Sequence, residues 1–236
     1  MSRPEVLFPL FADLTTLPGV GPKLGKSLTE AGLSTPRELA FHLPYGVIDR
    51  RPRATLQGLA TPATATVEVG IGPHHPPRQK GRPYRIEVSD ESLTFQLVFF
   101  HAAGDWLQKS FPTGARRIVS GKVEMYDGIF QMVHPDHVLV PGTDAGLPEF
   151  EPVYHLTQGV ALKTLTKAVQ GAVDRAPDLD EWADAALVAE RRWPVWRAAL
   201  RAAHAPRGEA DLAPTAPARE RLAYDELFAH QITLAL

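Results

Sequence analysis

The chain has 236 residues, 44% of them hydrophobic and 22% charged, a balance that suits one or two globular domains with a sizeable core. It contains no cysteine, which excludes disulfides and thiolate zinc sites, and no apolar run approaches the roughly 18 residues of a membrane helix. The net charge of −2 argues against a protein coated with nucleic-acid-binding surface. The charge is unevenly spread, however. Residues 1–60 carry 7 basic and 5 acidic side chains, residues 61–142 carry 8 and 8, and residues 143–236 carry 10 and 14. A nucleic-acid surface is therefore expected to be local and to lie in the first two thirds. Met1-Ser2-Arg3-Pro4-Glu5 has no signal-peptide character, so the expected location is cytoplasmic.

The first part, residues 1–60, has helical periodicity. Leu24, Leu28, Leu39 and Leu43 have the spacing of a core-facing stripe, and Ser34-Thr35-Pro36 supplies a cap and a first-turn proline. Its central feature is Leu17-Pro18-Gly19-Val20-Gly21-Pro22-Lys23-Leu24-Gly25-Lys26-Ser27, which admits two phosphate-binding readings. A P-loop requires a glycine five residues before Gly25, where Val20 stands; Pro22 would also remove a donor from the cradle, and no strand precedes it. The spacing disfavours an NTPase. The second reading is a helix-hairpin-helix turn, in which Gly19, Val20 and Gly21 reverse the chain and a helix starts near Pro22. Its free N–H groups, with Lys23 and Lys26, would then bind a backbone phosphate without reading sequence. A helical hairpin whose glycines serve only packing is the alternative. A basic exit follows at Asp49-Arg50-Arg51-Pro52-Arg53.

From about residue 61 to residue 142 the period changes to two. Thr64–Ile71, Tyr84–Ser89, Leu93–Phe100, Arg117–Tyr126 and Ile129–Val133 read as five strands, with Asp127-Gly128 as a two-residue hairpin turn and a short helix over 102–109. That order matches an OB-fold, a five-stranded barrel used to bind oligonucleotides. The segment from Gly72 to Arg85 reads as a long cationic connection in which Arg78, Lys80, Arg82 and Arg85 would track phosphates; a merely solvated loop is the alternative. His74-His75 and His134-Pro135-Asp136-His137 read as loop histidines rather than metal ligands. With Leu93, Phe95, Leu97 and Phe99 facing the barrel core, Phe100 faces out; with Val119, Val123 and Met125 inward, Lys122 and Tyr126 face out. Base stacking would account for an exposed Phe100, and packing against the helical parts is the alternative.

Residues 143–236 return to helices. Leu162, Leu165, Val169 and Val173 form one stripe, and Trp196, Leu200 and Ala203 form another. Ala205 to Ala218 reads as a Pro/Ala linker before a last helix over Arg219 to Leu236, which lacks a terminating signal and suggests a longer natural sequence. The expected class is therefore α+β: an N-terminal helical hairpin region, a five-stranded OB barrel and a C-terminal helical segment.

Several segments together resemble the N-terminal region of the RecG family of bacterial ATP-dependent DNA helicases. In the first part these are Leu17-Pro18-Gly19-Val20-Gly21-Pro22-Lys23, His42-Leu43-Pro44 and Asp49-Arg50-Arg51. The barrel contributes Val98-Phe99-Phe100-His101, Gly121-Lys122-Val123 and Gln131-Met132-Val133-His134-Pro135. Beyond it come Pro152-Val153-Tyr154-His155-Leu156-Thr157-Gln158-Gly159 with Lys163-Thr164-Leu165, then Ala203-His204-Ala205-Pro206, and Arg221-Leu222-Ala223-Tyr224-Asp225-Glu226-Leu227-Phe228. The chain departs from the commoner family pattern at His101, where Asn is frequent, and at Ala205, where an aromatic usually precedes Pro206. The resemblance implies a wedge that splits strands at forks and Holliday junctions in recombination and repair, with Phe100, Lys122 and Tyr126 in that role. It further implies branched DNA and a helicase motor C-terminal to this chain as partners, no membrane, no catalytic residue or cofactor within the chain, and ATP with Mg²⁺ for the motor. An OB-type protein-interaction module is the other reading.

Overall fold

The computed structural model describes residues 4–79, 81–101, 103–143, 146–156 and 159–235. The chain forms two compact units, Asp49–Glu149 and a second built from Met1–Ile48 together with Phe150–Leu236.

The barrel unit takes its shape from two long strands. β3 (Ala63–His75) pairs antiparallel with β6 (Arg116–Tyr126) from Ala63↔Val123 to Gly70↔Arg116, and its C-terminal part pairs with β4 (Tyr84–Ser89) across an irregularity between Ile71 and His74. β4 continues to β5 (Thr94–Phe99), β5 runs parallel to β7 (Ile129–Val133), and β7 returns antiparallel to β6. The circuit closes a five-stranded OB barrel, as the strand pattern predicts. The short strands β2 (Pro52–Arg53) and β8 (His137–Leu139) extend the edges of β3 and β6. Alternation fills the interior with Val67, Val69, Ile86, Val88, Phe95, Leu97, Val119, Val123 and Met132. The helix α3 (Gly104–Ser110) contributes buried Leu107, followed by buried Phe111, whose ring packs on Phe99 at 5.4 Å. A polar cluster stands outside this apolar core. The buried Arg50 guanidinium donates to Ser120 Oγ (2.8 Å) and pairs with Asp136 (3.1 Å), while its backbone N–H donates to the Glu149 carbonyl (2.7 Å).

Three sequence expectations change within this unit. Residues 72–75 continue β3 rather than opening a loop, so His74 and His75 are strand residues. His74 Nδ1 bonds the Tyr84 hydroxyl (3.0 Å) and Nε2 bonds the Phe111 carbonyl (2.8 Å), which anchors the extension. Met125 is 53% exposed instead of inward, because the β6–β7 hairpin continues past the end of the barrel interior.

The helical unit comprises α1 (Pro22–Glu30), α2 (Pro36–Ala40), α4 (Leu162–Val173), α5 (Ala185–Arg191), α6 (Trp196–His204) and α7 (Pro217–Ala235), with β1 (Gly46–Asp49) pairing β9 (Phe150–Val153) where the two chain portions meet. One core serves both portions: Leu14, Leu28 and Leu39 pack with Leu165, Val169, Ala172 and Leu200. Each such leucine contributes roughly 1.5–3 kcal/mol on burial. α2 starts with the expected cap, Glu38 accepting from the N–H groups of Ser34 (2.8 Å) and Thr35 (2.6 Å). The segment expected to be a linker before α7 instead carries a 3₁₀ turn, Glu209–Leu212, held by Arg207 N–H donating to Asp211 (2.7 Å). Arg221 on α7 is buried, which is tolerated because it meets Glu181 at 2.8 and 2.9 Å and Asp225 at 3.1 Å.

A second polar chain fixes the His204 tautomer. Nε2 faces the Ala40 carbonyl at 2.8 Å and must carry the proton, so Nδ1 accepts from the Tyr154 hydroxyl at 3.0 Å. Burial pushes His204 from 6.5 down to about 4 and raises the Tyr154 hydroxyl above its ordinary range. Above pH 6.5 both folded and unfolded His204 are neutral. As pH falls toward 4, the unfolded imidazole takes a proton that the folded one refuses, so stability is lost across that window. The thermal midpoint should therefore fall between pH 6.5 and about 4, and a folded His204→Gln variant should lose that part of the dependence.

Candidate nucleic-acid interface

The expected binding residues occupy two places, one in each unit. In the helical unit, Leu17-Pro18-Gly19-Val20 is a tight turn in which Val20 N–H donates to the Leu17 carbonyl (3.1 Å) and Gly19 has φ of 81°. Proline second and a positive-φ glycine third define a type II turn. The preceding element is a 3₁₀ turn, Leu14–Thr16, rather than an α-helix, so the hairpin is shorter than the sequence reading suggests. Val20 is buried in the core and its N–H is used, which makes it a packing residue. Gly21 caps α1 with no side-chain partner, Pro22 starts the helix, and Lys23 and Lys26 are exposed, Lys26 lying 3.9 Å from Glu30. Gly25, Lys26 and Ser27 lie inside α1, with Gly25 N–H bonded to the Gly21 carbonyl (2.9 Å) and Ser27 Oγ donating to the Lys23 carbonyl (3.2 Å). These groups are committed to a helix and form no P-loop cradle.

Sequence reasoning misses Lys167 on α4. Its stem lies over the turn, so that a Cβ built on Gly19 would sit 3.5 Å from Lys167 Cε. Only the polar face of α4, with Lys163 and Lys167 four residues apart, hints at it.

In the barrel, Phe100 follows the end of β5 and is 42% exposed. Its N–H donates to His134 Nε2 (3.0 Å), and the two rings lie 6.1 Å apart. His134 is itself held, its N–H donating to the Val98 carbonyl (2.9 Å) and its ring meeting Phe99 edge-on at 5.7 Å. Arg85 is half-buried on β4 opposite Val98. Arg78 and Arg82 are exposed on the connection between β3 and β4; Lys80 lies outside the described residues, as do Thr157 and Gln158 of the family-like segments. Lys122 is an exposed β6 residue paired with Glu124 at 2.5 Å, so its charge is locally balanced.

Tyr126 is 68% exposed beside Ile129 at the tip of the β6–β7 hairpin. Asp127 (φ 50°) and Gly128 (φ 75°) both occupy the left-handed region, as a type I′ turn requires. Tyr126 and Phe100 are not neighbours. Tyr126 faces Ile129 at the start of β7 and Phe100 faces His134 just beyond its end, so about 16 Å of strand separates them. Between them the pairs Glu124↔Gln131 and Gln96↔Gln131 line the outer face with carboxylate and amide groups. Aromatic or apolar side chains thus stand at both ends of a polar strip, bordered by a cationic connection. No group of three or more metal-ligating side chains occurs among the described residues; Asp136 serves Arg50 and His134 serves Phe100. Nor, among those residues, is any helix long and apolar enough to cross a membrane.

The closed five-stranded circuit defines an OB-type module. Residues 66–140 match the family model described as an OB-fold nucleic acid binding domain. The ATP-dependent DNA helicase RecG of Escherichia coli K12 is 30% identical over 234 residues, covering 94% of this chain and 33% of that protein, and RecG of Streptococcus pneumoniae is 25% identical with 96% and 33% covered. A solved structure of RecG bound to a three-way DNA junction superposes with a TM-score of 0.73 at 25% identity, covering 97% of this chain and 31% of its own. Over nearly its whole length the chain is similar to RecG, and its barrel matches the OB-fold family model. It spans about a third of the length of these relatives.

Gly19 supplies a test of the turn. Alanine there would be forced into the left-handed region, so Gly19→Ala should cost about 1–2 kcal/mol in urea unfolding.

Proposed function

We propose that this chain is the branched-DNA-binding and strand-separating region of a RecG-like helicase, acting at forks and Holliday junctions in the cytoplasm during recombination and repair. The observation that carries the reading is Phe100, an exposed ring whose backbone is pinned by His134 at the rim of an OB barrel. A rigid aromatic edge is suited to stacking on the last base where two strands part. Arg78, Arg82 and Arg85, together with Lys80 of the same stretch of sequence, and Lys23 and Lys26 beside the Gly19–Gly21 turn, would neutralise phosphates. Tyr126, at the far end of the strip, would meet a different nucleotide from the one on Phe100. The partners are branched DNA and a helicase motor, to which the ATP and Mg²⁺ of the relatives' activity would belong.

Two measurements by fluorescence anisotropy test this reading. Phe100→Ala should weaken binding to a three-way fork about 5- to 150-fold, the equivalent of roughly 1–3 kcal/mol for one stacked base, while leaving duplex affinity unchanged. A folded variant with full fork affinity would remove Phe100 from the site. Independently, Arg78→Ala combined with Arg82→Ala should lower the slope of log affinity against log salt by about one for each phosphate left without its cation. An unchanged slope would leave the connection idle and favour a protein-interaction barrel.

A further inference from the structure

The helical unit has a cleft of its own, about 470 Å3, where the end of α6 and the start of α7 come together. Ala202, Ala205, Ala216 and Ala218 line it, and Arg201 and Arg207 stand in its wall. We propose that it seats a backbone phosphate of a duplex arm between Arg201 and Arg207, a DNA contact separate from any on the barrel. The inference rests on the branched-DNA reading and adds a second point of grip to it.

The lining decides which part of a nucleic acid fits. Four alanines present only methyl groups, which cannot read the donors and acceptors of a base edge. No aromatic ring among the described residues lines the cleft, so a base finds no stacking platform there. What the walls do offer is apolar contact for a sugar and two planar cations, each able to fork onto phosphate oxygens.

Both cations are available. The Arg207 guanidinium has no ion-pair partner among the described residues, while its backbone N–H donates to Asp211 at 2.7 Å. Arg201 lies 3.9 Å from Asp174, and with the two side chains 49% and 58% exposed this is a loose, water-screened pair that a phosphate can displace. Asp211 also lines the cleft, so two cations face one carboxylate there. Residues 143–236 carry 10 basic and 14 acidic side chains, but Glu181 and Asp225 are paired with Arg221, Glu220 with Arg191 and Asp178 with Arg197. Those pairs leave room for a local cationic site in a segment that is acidic as a whole.

The experiment uses the whole chain and three-way forks with every arm full length, or with one arm at a time cut back to a stump of a few base pairs. Arg201→Gln combined with Arg207→Gln should weaken binding to the full fork about 10-fold whatever its sequence, and lower the slope of log affinity against log salt by about one to two. Cutting back one particular arm should cost the wild-type chain as much and the double variant nothing further. Ala205→Phe, which fills the cleft and keeps both charges, should weaken the full fork several-fold. A double variant that loses affinity equally on every trimmed fork would overturn the arm contact. So would inorganic phosphate raising the thermal midpoint of the wild type alone while both chains bind the fork equally, which would make this a site for free phosphate. A folded Ala205→Phe chain with full affinity would reduce the arginines to diffuse surface charge and overturn the cleft. Full fork affinity in the double variant, with Phe100→Ala still defective, would overturn this proposal and leave the branched-DNA reading standing; absence of fork binding by the wild-type chain would sink both.

Discussion

The closure between β3 and β6 is the constraint on which the barrel depends. Eight consecutive register pairs, from Ala63↔Val123 to Gly70↔Arg116, join the first strand of the barrel to the fourth. Every other placement follows from that seam. Because β6 is committed to β3 along its first part, only its last residues, from Val123 to Tyr126, pair with β7, and the hairpin runs on past the core. Because β3 is longer than the seam, its last residues turn to β4 and deliver the connection bearing Arg78 and Arg82 to the Phe100 end of β5. The candidate interface results from how two long strands divide their edges, rather than from any one motif.

The polar networks have a related role. A barrel packed with aliphatic side chains has many ways to repack, whereas a hydrogen bond that must be satisfied permits few. His74 links three segments through Tyr84 and Phe111, and His134 links the ends of β5 and β7. Both histidines fix the pose of an aromatic residue or its backbone, Tyr84 in one case and Phe100 in the other. In the helical unit, Arg221 with Glu181 and Asp225, and His204 with Tyr154 and Ala40, likewise join distant stretches of chain. Each costs desolvation and gives definition in return.

Much of this is legible in the sequence, and the failures have physical causes. Period-two alternation exposes the five strands because it is a local signal, and Asp127-Gly128 fixes the hairpin because few residues accept two successive positive φ angles. The outward turn of Phe100 follows from the same alternation. Gly72 and Pro73 hide the end of β3, since glycine and proline ordinarily break strands and here sit at an irregularity. Alternation misplaces Met125 because it reports a face and not where the core stops. His134 reads only as a loop histidine because its role depends on the parallel β5–β7 pairing of strands not consecutive in the chain. The core shared by residues before 49 and after 149 leaves no periodic trace either, since each portion shows only its own apolar stripe.

The hydrogen bond from Arg50 N–H to the Glu149 carbonyl has an architectural meaning beyond the stability it adds. Asp49 and Glu149 bound the barrel unit, so its entry and exit strands lie side by side. A segment whose two ends meet can be spliced into, or out of, a host chain at the entropic expense of a tight turn, since the loop it interrupts closes over the same short gap in either case. The barrel unit and the helical unit are thereby free to diverge separately. A different barrel with equally close ends could be grafted onto the same body, and this one could be moved elsewhere with its rim intact.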